Sequence, residues 1–276
     1  MKLIDIKRRI AQSLSSVTPD SASEALRIVS ELYSISPREV PLKLFDDFEE
    51  NAKAAEIIER RQGGEPLEYI LGKAVFCGLD FSVSSDCLIP QADTEVVVEA
   101  AISHLSHGNR FADLCTGSGC IAVSIAKACG ASGIAVDVSG KALAIAAKNA
   151  EANGVSSKID FINADVLKCE DYFGEKYDVI VSNPPYIKTN VIDTLSEEVK
   201  HEPRIALDGG EDGLDFYKRI IDIAPRHLKP SGHLVLEIGY DEAEDVSKIL
   251  SEKSFTFKVI KDFGGNDRCI DAVLKN

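Results

Sequence analysis

Asn183-Pro184-Pro185-Tyr186 follows an apolar run, Tyr177 to Ser182, that reads as a buried strand. An Asn at a strand's end with two prolines behind it presents a fixed carboxamide at the carboxyl edge of a sheet, where open α/β sheets place their ligands. Each Pro sets its own φ and removes an N–H, so nearby carbonyls lack local donors and can accept from a ligand. An amide nitrogen brought here can give its two protons to the Asn183 side-chain oxygen and the Pro184 carbonyl. Tyr186 adds a flat apolar face for a planar group. The plainer reading of the tetrapeptide by itself is a rigid turn.

A second constellation lies upstream. Asp113-Leu114-Cys115-Thr116-Gly117-Ser118-Gly119-Cys120-Ile121-Ala122 ends one strand and opens a helix. Its glycines permit close backbone approach, and the helix start offers unpaired N–H groups to an anion. The next strand ends at Asp137, where a ribose diol would lie in a nucleotide-binding sheet. The one after ends Asn163-Ala164-Asp165, a polar group suited to an adenine amine. Either acid alone reads more simply as a helix cap or a solvated loop charge. Gly117-x-Gly119-x-x-Ala122 also meets a loose dinucleotide fingerprint. A hydride-transfer site, however, does not call for Asn-Pro-Pro-Tyr. S-adenosylmethionine fits the set better: carboxylate at the helix start, ribose at Asp137, methyl toward Asn183.

The elements that must hold these residues change character near residue 70. Before it, apolar positions recur at helical spacing, as in Ile4, Ile10, Leu14 and Ala25, Leu26, Val29, Leu32. Thr18-Pro19-Asp20-Ser21, Ser36-Pro37-Arg38-Glu39 and Pro41-Leu42 mark helix starts, and Gly63-Gly64 marks a stop. Residues 1–71 are expected to form a helical substrate-recognition domain. Residues 72–92 are expected to form a β-hairpin linker, with strands over 74–76 and 80–83 around Gly78. From 93 to 276 strands alternate with helices, with strands over 110–114, 133–137, 159–163, 177–182 and 233–238. That pattern predicts a doubly wound, Rossmann-like α/β sheet. The last two strands, 256–260 and 269–274, have no helix between them and predict an antiparallel hairpin, making seven.

Composition bounds the rest. The 276 residues carry 45% hydrophobic and 28% charged side chains, ordinary for a chain that buries a real core. No apolar run reaches the length of a membrane span, and the first residues lack a secretory h-region, so a cytoplasmic protein is expected. Seven cysteines without a CxxC pair read as reduced thiols. A net charge of −14 argues against binding duplex DNA, since phosphates need a basic face. His104 and His107 read as surface or helix-end charges with no metal spacing, His233 begins a buried strand, and no metal is expected.

At these residues the chain resembles the protein-(glutamine-N5) methyltransferases that modify peptide chain release factors. The likeness covers nearly its whole length. It includes Gly64 to Gly72, Leu88-Ile89-Pro90, Asp93-Thr94-Glu95, the glycine turn, Asn183 to Tyr186, Glu202 to Leu214, and Gly264 to Arg268. The tetrapeptide is shared with adenine-N6 DNA and RNA methyltransferases; its pairing with a helical N-terminal domain and the Glu-Pro-Arg loop is more selective. The resemblance implies S-adenosyl-L-methionine as cofactor and S-adenosyl-L-homocysteine as product. It implies cofactor contacts at Thr116, Gly117, Gly119, Asp137, Asp165 or Val166, and Asn183, and Cys115 and Ser118 of the same turn are expected to bind the cofactor with them. It implies an acceptor, the glutamine of a Gly-Gly-Gln loop in the release factor, held by Asn183, Pro184, Pro185 and Tyr186, and thereby a role in translation termination. The chain departs from the family where Pro90-Gln91-Ala92 replaces a usual Pro-Arg-Pro, so that arginine's role does not carry over.

The expected protein is a monomeric, cytoplasmic methyltransferase with release factors as its protein substrate and neither DNA nor membrane as partner. Asn183, Pro184 and Tyr186 are its expected catalytic residues. The competing readings are an adenine-N6 nucleic-acid methyltransferase and a non-catalytic S-adenosylmethionine sensor. Glu202 and Arg204 are expected either to order a loop over the acceptor or to form an ordinary loop ion pair.

Overall fold

The computed structural model describes residues 1–275. The chain divides into two compact units: Met1–Gly72 with Ser196–His201, and Lys73–Leu195 with the chain from Glu202 on.

The first unit is helical. Helix α1 (Leu3–Leu14) buries Leu3, Ile6, Ile10 and Leu14, one stripe at three- and four-residue spacing. It packs against α2 (Ser21–Tyr33), α3 (Lys53–Gln62) and the single turn α4 (Leu67–Leu71). Ser36-Pro37 opens no α-helix, contrary to expectation. Glu39 folds back to accept from Ser36 N (3.2 Å) and Ser36 Oγ (2.8 Å), and only a 3-10 turn, Val40–Lys43, follows. The buried Arg61 of α3 donates to both carboxylate oxygens of Glu24, each at 3.0 Å, and to Glu198 at 3.2 Å. Glu198 belongs to α8 (Glu197–Lys200), a short helix far along the chain that joins this unit.

The second unit begins with a hairpin, β1 (Lys73–Phe76) and β2 (Leu79–Ser82). Asn149 clamps β2, accepting from Ser82 N at 2.7 Å and donating to Ser82 O at 3.0 Å. The main sheet has seven strands: β3 (Arg110–Leu114), β4 (Ser132–Asp137), β5 (Ile159–Asn163), β6 (Tyr177–Ser182), β7 (Leu228–Glu237), β8 (Phe255–Lys261) and β9 (Asp267–Leu274). Their order is β5-β4-β3-β6-β7-β9-β8. The first five run parallel; β9 is antiparallel to both β7 and β8. Helices α5 (Glu95–Ile102), α6 (Cys120–Cys129) and α7 (Gly140–Ala152) cover one face; α9 (Asp215–His227) and α10 (Ala243–Glu252) cover the other. With both faces covered, the central strands are buried along nearly their whole length, which is why they read as unbroken apolar runs. The chain moves outward from β3 through β4 to β5, then returns to β6 on β3's other side. That reversal opens a crevice at the carboxyl ends of β3 and β6. Among the described residues no helix is long and apolar enough to cross a membrane.

Candidate active site

The crevice is a cavity of about 440 Å³, within the size range of small-molecule sites. Its wall includes Cys115 and Gly117 after β3, Asp137 to Ser139 after β4, Ala164 to Leu167 after β5, and Asn183 and Pro185 after β6. Parallel register brings them together: Leu114 lies opposite Val136 on one side and Ser182 on the other. Ser182 Oγ donates to Leu114 O at 2.6 Å and locks the two strand ends. Asp86 to Leu88, Ala142, Pro203 to Ala206, Asp208 and Phe216 complete the lining.

The glycine turn is braced from beneath. Asp113 is fully buried and accepts from Thr116 Oγ1 (2.5 Å) and Ala122 N (3.2 Å). Its Oδ1 has no partner among the described residues, and burial pushes its pKa up to about 7. Cys115 and Gly117 take positive φ values of 61° and 54°. Gly119 has φ 79°, and a Cβ there would lie 2.9 Å from Ala146 Cβ, so only glycine lets the turn sit against α7. Thr116, Ser118 and Gly119 shape the turn without lining the cavity; Cys115 and Gly117 line it.

Asp137 stands on the cavity wall with its carboxylate accepting from Gly117 N and Ser139 N, both at 2.8 Å. Burial raises its pKa while those backbone donors oppose the rise. An ionised carboxylate has about four lone-pair positions, so two hydroxyl donors can still be accepted. Asp165 is held below the usual carboxylate range, chiefly by Lys168 at 2.7 Å, and also accepts from Leu167 N at 3.0 Å. Val166 beside it is buried against the cavity.

Asn183 is set by residues that sequence reasoning missed. Its Nδ2 donates to Thr94 Oγ1 at 3.3 Å. Thr94 and Asn183 both face the Glu237 carboxyl, which ends β7 beside Asn183's strand, and both draw its pKa down. A carboxamide has one donor nitrogen and one acceptor oxygen. With the nitrogen committed to Thr94, Oδ1 is the free end, and no described residue donates to it. The Pro184 carbonyl likewise receives no hydrogen bond from the described residues. Pro184 is buried and off the cavity, while Tyr186 is half-buried and packs into the apolar cluster beneath α9.

Glu237 is buried, its Oε2 has no partner among the described residues, and burial pushes its pKa up to about 7, against the pull of Thr94 and Arg268. Arg268 also pairs with Asp93 (3.2 Å) and Asp262 (3.3 Å). Glu202 accepts from Ile89 N at 3.1 Å, while Arg204 pairs with Asp193 at 2.9 Å and lines the cavity.

Comparison with known proteins identifies relatives of the chain. A family model described as "Methyltransferase small domain" matches residues 72–262. A release factor glutamine methyltransferase from Agrobacterium fabrum is 42% identical, covering 80% of this chain and 79% of that protein. One of the same description from Cereibacter sphaeroides is 37% identical and covers 99% of both chains. Among solved structures, a methyltransferase from Pyrococcus furiosus shares the fold, with a TM-score of 0.56 at 21% identity over 79% of this chain and 99% of its own.

Proposed function

The chain belongs to the release factor glutamine methyltransferase family. From that premise we propose that it methylates the side-chain amide nitrogen (N5) of the glutamine in a release factor's Gly-Gly-Gln loop, with S-adenosylmethionine as donor. When bound, that cofactor supplies an electrophilic methyl on a sulfonium and departs as S-adenosylhomocysteine. The residues present suit it. Asp137 retains acceptor capacity for a ribose diol, Gly117 offers open backbone beside it, and Asp165 with Val166 suits an adenine edge.

One observation carries the acceptor assignment: Asn183's nitrogen is tied to Thr94, leaving its oxygen free on the wall of that cavity. A glutamine nitrogen is a weak nucleophile because its lone pair is delocalised into the carbonyl. Donating one N–H to Asn183 Oδ1 and the other to Pro184 O orients that nitrogen and stabilises the positive charge that builds during transfer. No strong general base is needed. The helical unit recognises the release factor, since the cavity is lined by the second unit alone. Nucleic acid is disfavoured by the net charge of −14.

Incubation with labelled S-adenosylmethionine and release factor tests the reading. Label is expected at the Gly-Gly-Gln glutamine and absent when that residue is alanine. Glutamate there also fails, because an ionised carboxylate has no protons for the two acceptors. Labelling of adenine in DNA with none in release factor would overturn the substrate assignment in favour of an adenine-N6 enzyme.

A further inference from the structure

Midway along β7, four residues from Glu237, two histidines share one buried carboxylate. His104 Nε2 lies 2.8 Å from Asp271 Oδ2 and His233 Nδ1 lies 2.7 Å from Asp271 Oδ1. The imidazole rings stack with centroids 3.4 Å apart and planes 12° from parallel. One ligand atom from each of the three residues falls within 4.8 Å of the others, the one such group found among the described residues.

Three elements converge to make it. His104 follows α5, which ends at Ile102; His233 lies on β7 and Asp271 on β9. Asp271 pairs with Val235, two residues from His233, so both side chains rise from the same sheet face beneath the end of α5. Asp271's side chain is 3% exposed, whereas the two histidines are 21% and 24% exposed, which gives a small ion a path from solvent. A buried carboxylate needs a compensating cation. Besides the imidazoles, the cation facing Asp271 is Lys258 at 3.2 Å, and Lys258 is 62% exposed. An amine so exposed can turn to water without loss.

We propose that His104, His233 and Asp271 bind a divalent cation of the zinc class. Two neutral imidazole nitrogens and a carboxylate oxygen are a borderline donor set that suits zinc, cobalt or nickel, with water in the fourth position. In a tetrahedral zinc site the ligand atoms stand about 3.3 Å apart, as Zn–N and Zn–O bonds of roughly 2.0–2.2 Å require. Loading must unstack the rings: with planes 12° from parallel and centroids at 3.4 Å they cannot both aim a nitrogen at one ion, so the partly exposed imidazoles swing apart until both do. Loading replaces two separate hydrogen bonds with one ion joining α5, β7 and β9, and displaces Lys258. His233 lies four residues down β7 from Glu237, about 13 Å along the strand. The ion therefore braces the sheet and takes no part in transfer.

Full-length protein treated with a chelator is titrated with cobalt(II) while its visible d–d absorption is followed, and its melting temperature is measured with and without zinc. The expected results are one equivalent of tetrahedral cobalt bands and, at zinc about a hundredfold above its Kd, a rise of roughly 5–10 °C. His233→Gln and His104→Gln each abolish both signals and retain methyl transfer, which also verifies folding. Lys258→Met binds more tightly, since the competing ammonium is gone. The seven cysteines remain in every variant, so binding through them shows as signal common to all. Cobalt bands and a zinc-dependent melting shift that survive unchanged in His233→Gln overturn the proposal, and so does wild-type protein with neither.

Discussion

Glu237→Gln perturbs the group that holds Asn183, and its effect can be worked from burial. The carboxyl is enclosed, with its pKa raised from 4.5 to about 7 chiefly by desolvation. A group whose folded pKa is raised binds its proton more tightly when folded. Its contribution to stability is full below the unfolded pKa and declines as pH rises through the folded one. The full span, about 2.5 pH units, corresponds to roughly 3.4 kcal/mol. Between pH 5.5 and 8.5 the same linkage removes about 2 kcal/mol from the wild type. Glutamine does not titrate, so the variant escapes this loss. Asp113 and Glu242, also raised to about 7, slope alike in both proteins and cancel in the difference. Urea unfolding at both pH values should find Glu237→Gln gaining about 2 kcal/mol on the wild type as pH rises. Activity should move the opposite way. At pH 8 an ionised carboxylate sets a full negative charge against the Thr94–Asn183 pair, whereas a carboxamide offers only a neutral acceptor. The variant should lose about 1 kcal/mol of positioning, roughly fivefold in kcat at pH 8. A stability difference that is the same at both pH values would refute the desolvation argument. An unchanged kcat would detach Glu237 from Asn183's orientation.

Asp137→Ala should weaken S-adenosylmethionine binding by about 1–3 kcal/mol, and calorimetry returning wild-type affinity removes the ribose assignment. Asn183→Ala should slow single-turnover methyl transfer at least about tenfold at saturating cofactor and acceptor, about 1.4 kcal/mol in the barrier; near-wild-type rates return Asn183 to a turn role. Gly119→Ala should lower stability by about 2 kcal/mol or more in thermal unfolding, because φ 79° and the 2.9 Å approach to Ala146 both oppose a side chain; an unshifted melting curve shows that the turn relaxes. A chain starting at Ala74 should keep cofactor affinity and lose most affinity for release factor in a titration, and equal affinity there rules out recognition by the helical unit.

The parallel strands were legible because burial on both faces leaves little choice of residue. The observed limits of β3, β5 and β6 coincide with the apolar runs at 110–114, 159–163 and 177–182. β7 was legible only in its second half. Lys229-Pro230-Ser231-Gly232 reads as a loop, yet the strand starts at Leu228 and passes through a register shift opposite Tyr177 and Val179, with Ser231 at φ 60°. A bulge accommodates residues that local propensity assigns to turns, and only the neighbouring strand determines that it forms. The active site divides in the same way. Glycine, acid and Asn-Pro-Pro-Tyr sit at successive strand ends, and strand ends follow from periodicity, so their convergence could be argued from the chain alone. What orients Asn183 could not be. Thr94 stands 89 residues away in sequence, and Glu237 reads as an ordinary acid after an apolar run. Arg204's partners are hidden for the same reason: Asp193, eleven residues upstream, and Asp208 meet it only in space. His104 and His233 looked inert because metal motifs are recognised by close spacing, and their shared carboxylate comes 167 residues after the first of them. Residues on one strand end or one helix turn announce themselves by period. Groups that act by neutralising or orienting one another across a sheet become visible only once the strand order is known, and here that order brings Glu237 beside Asn183 and Asp271 beneath both histidines.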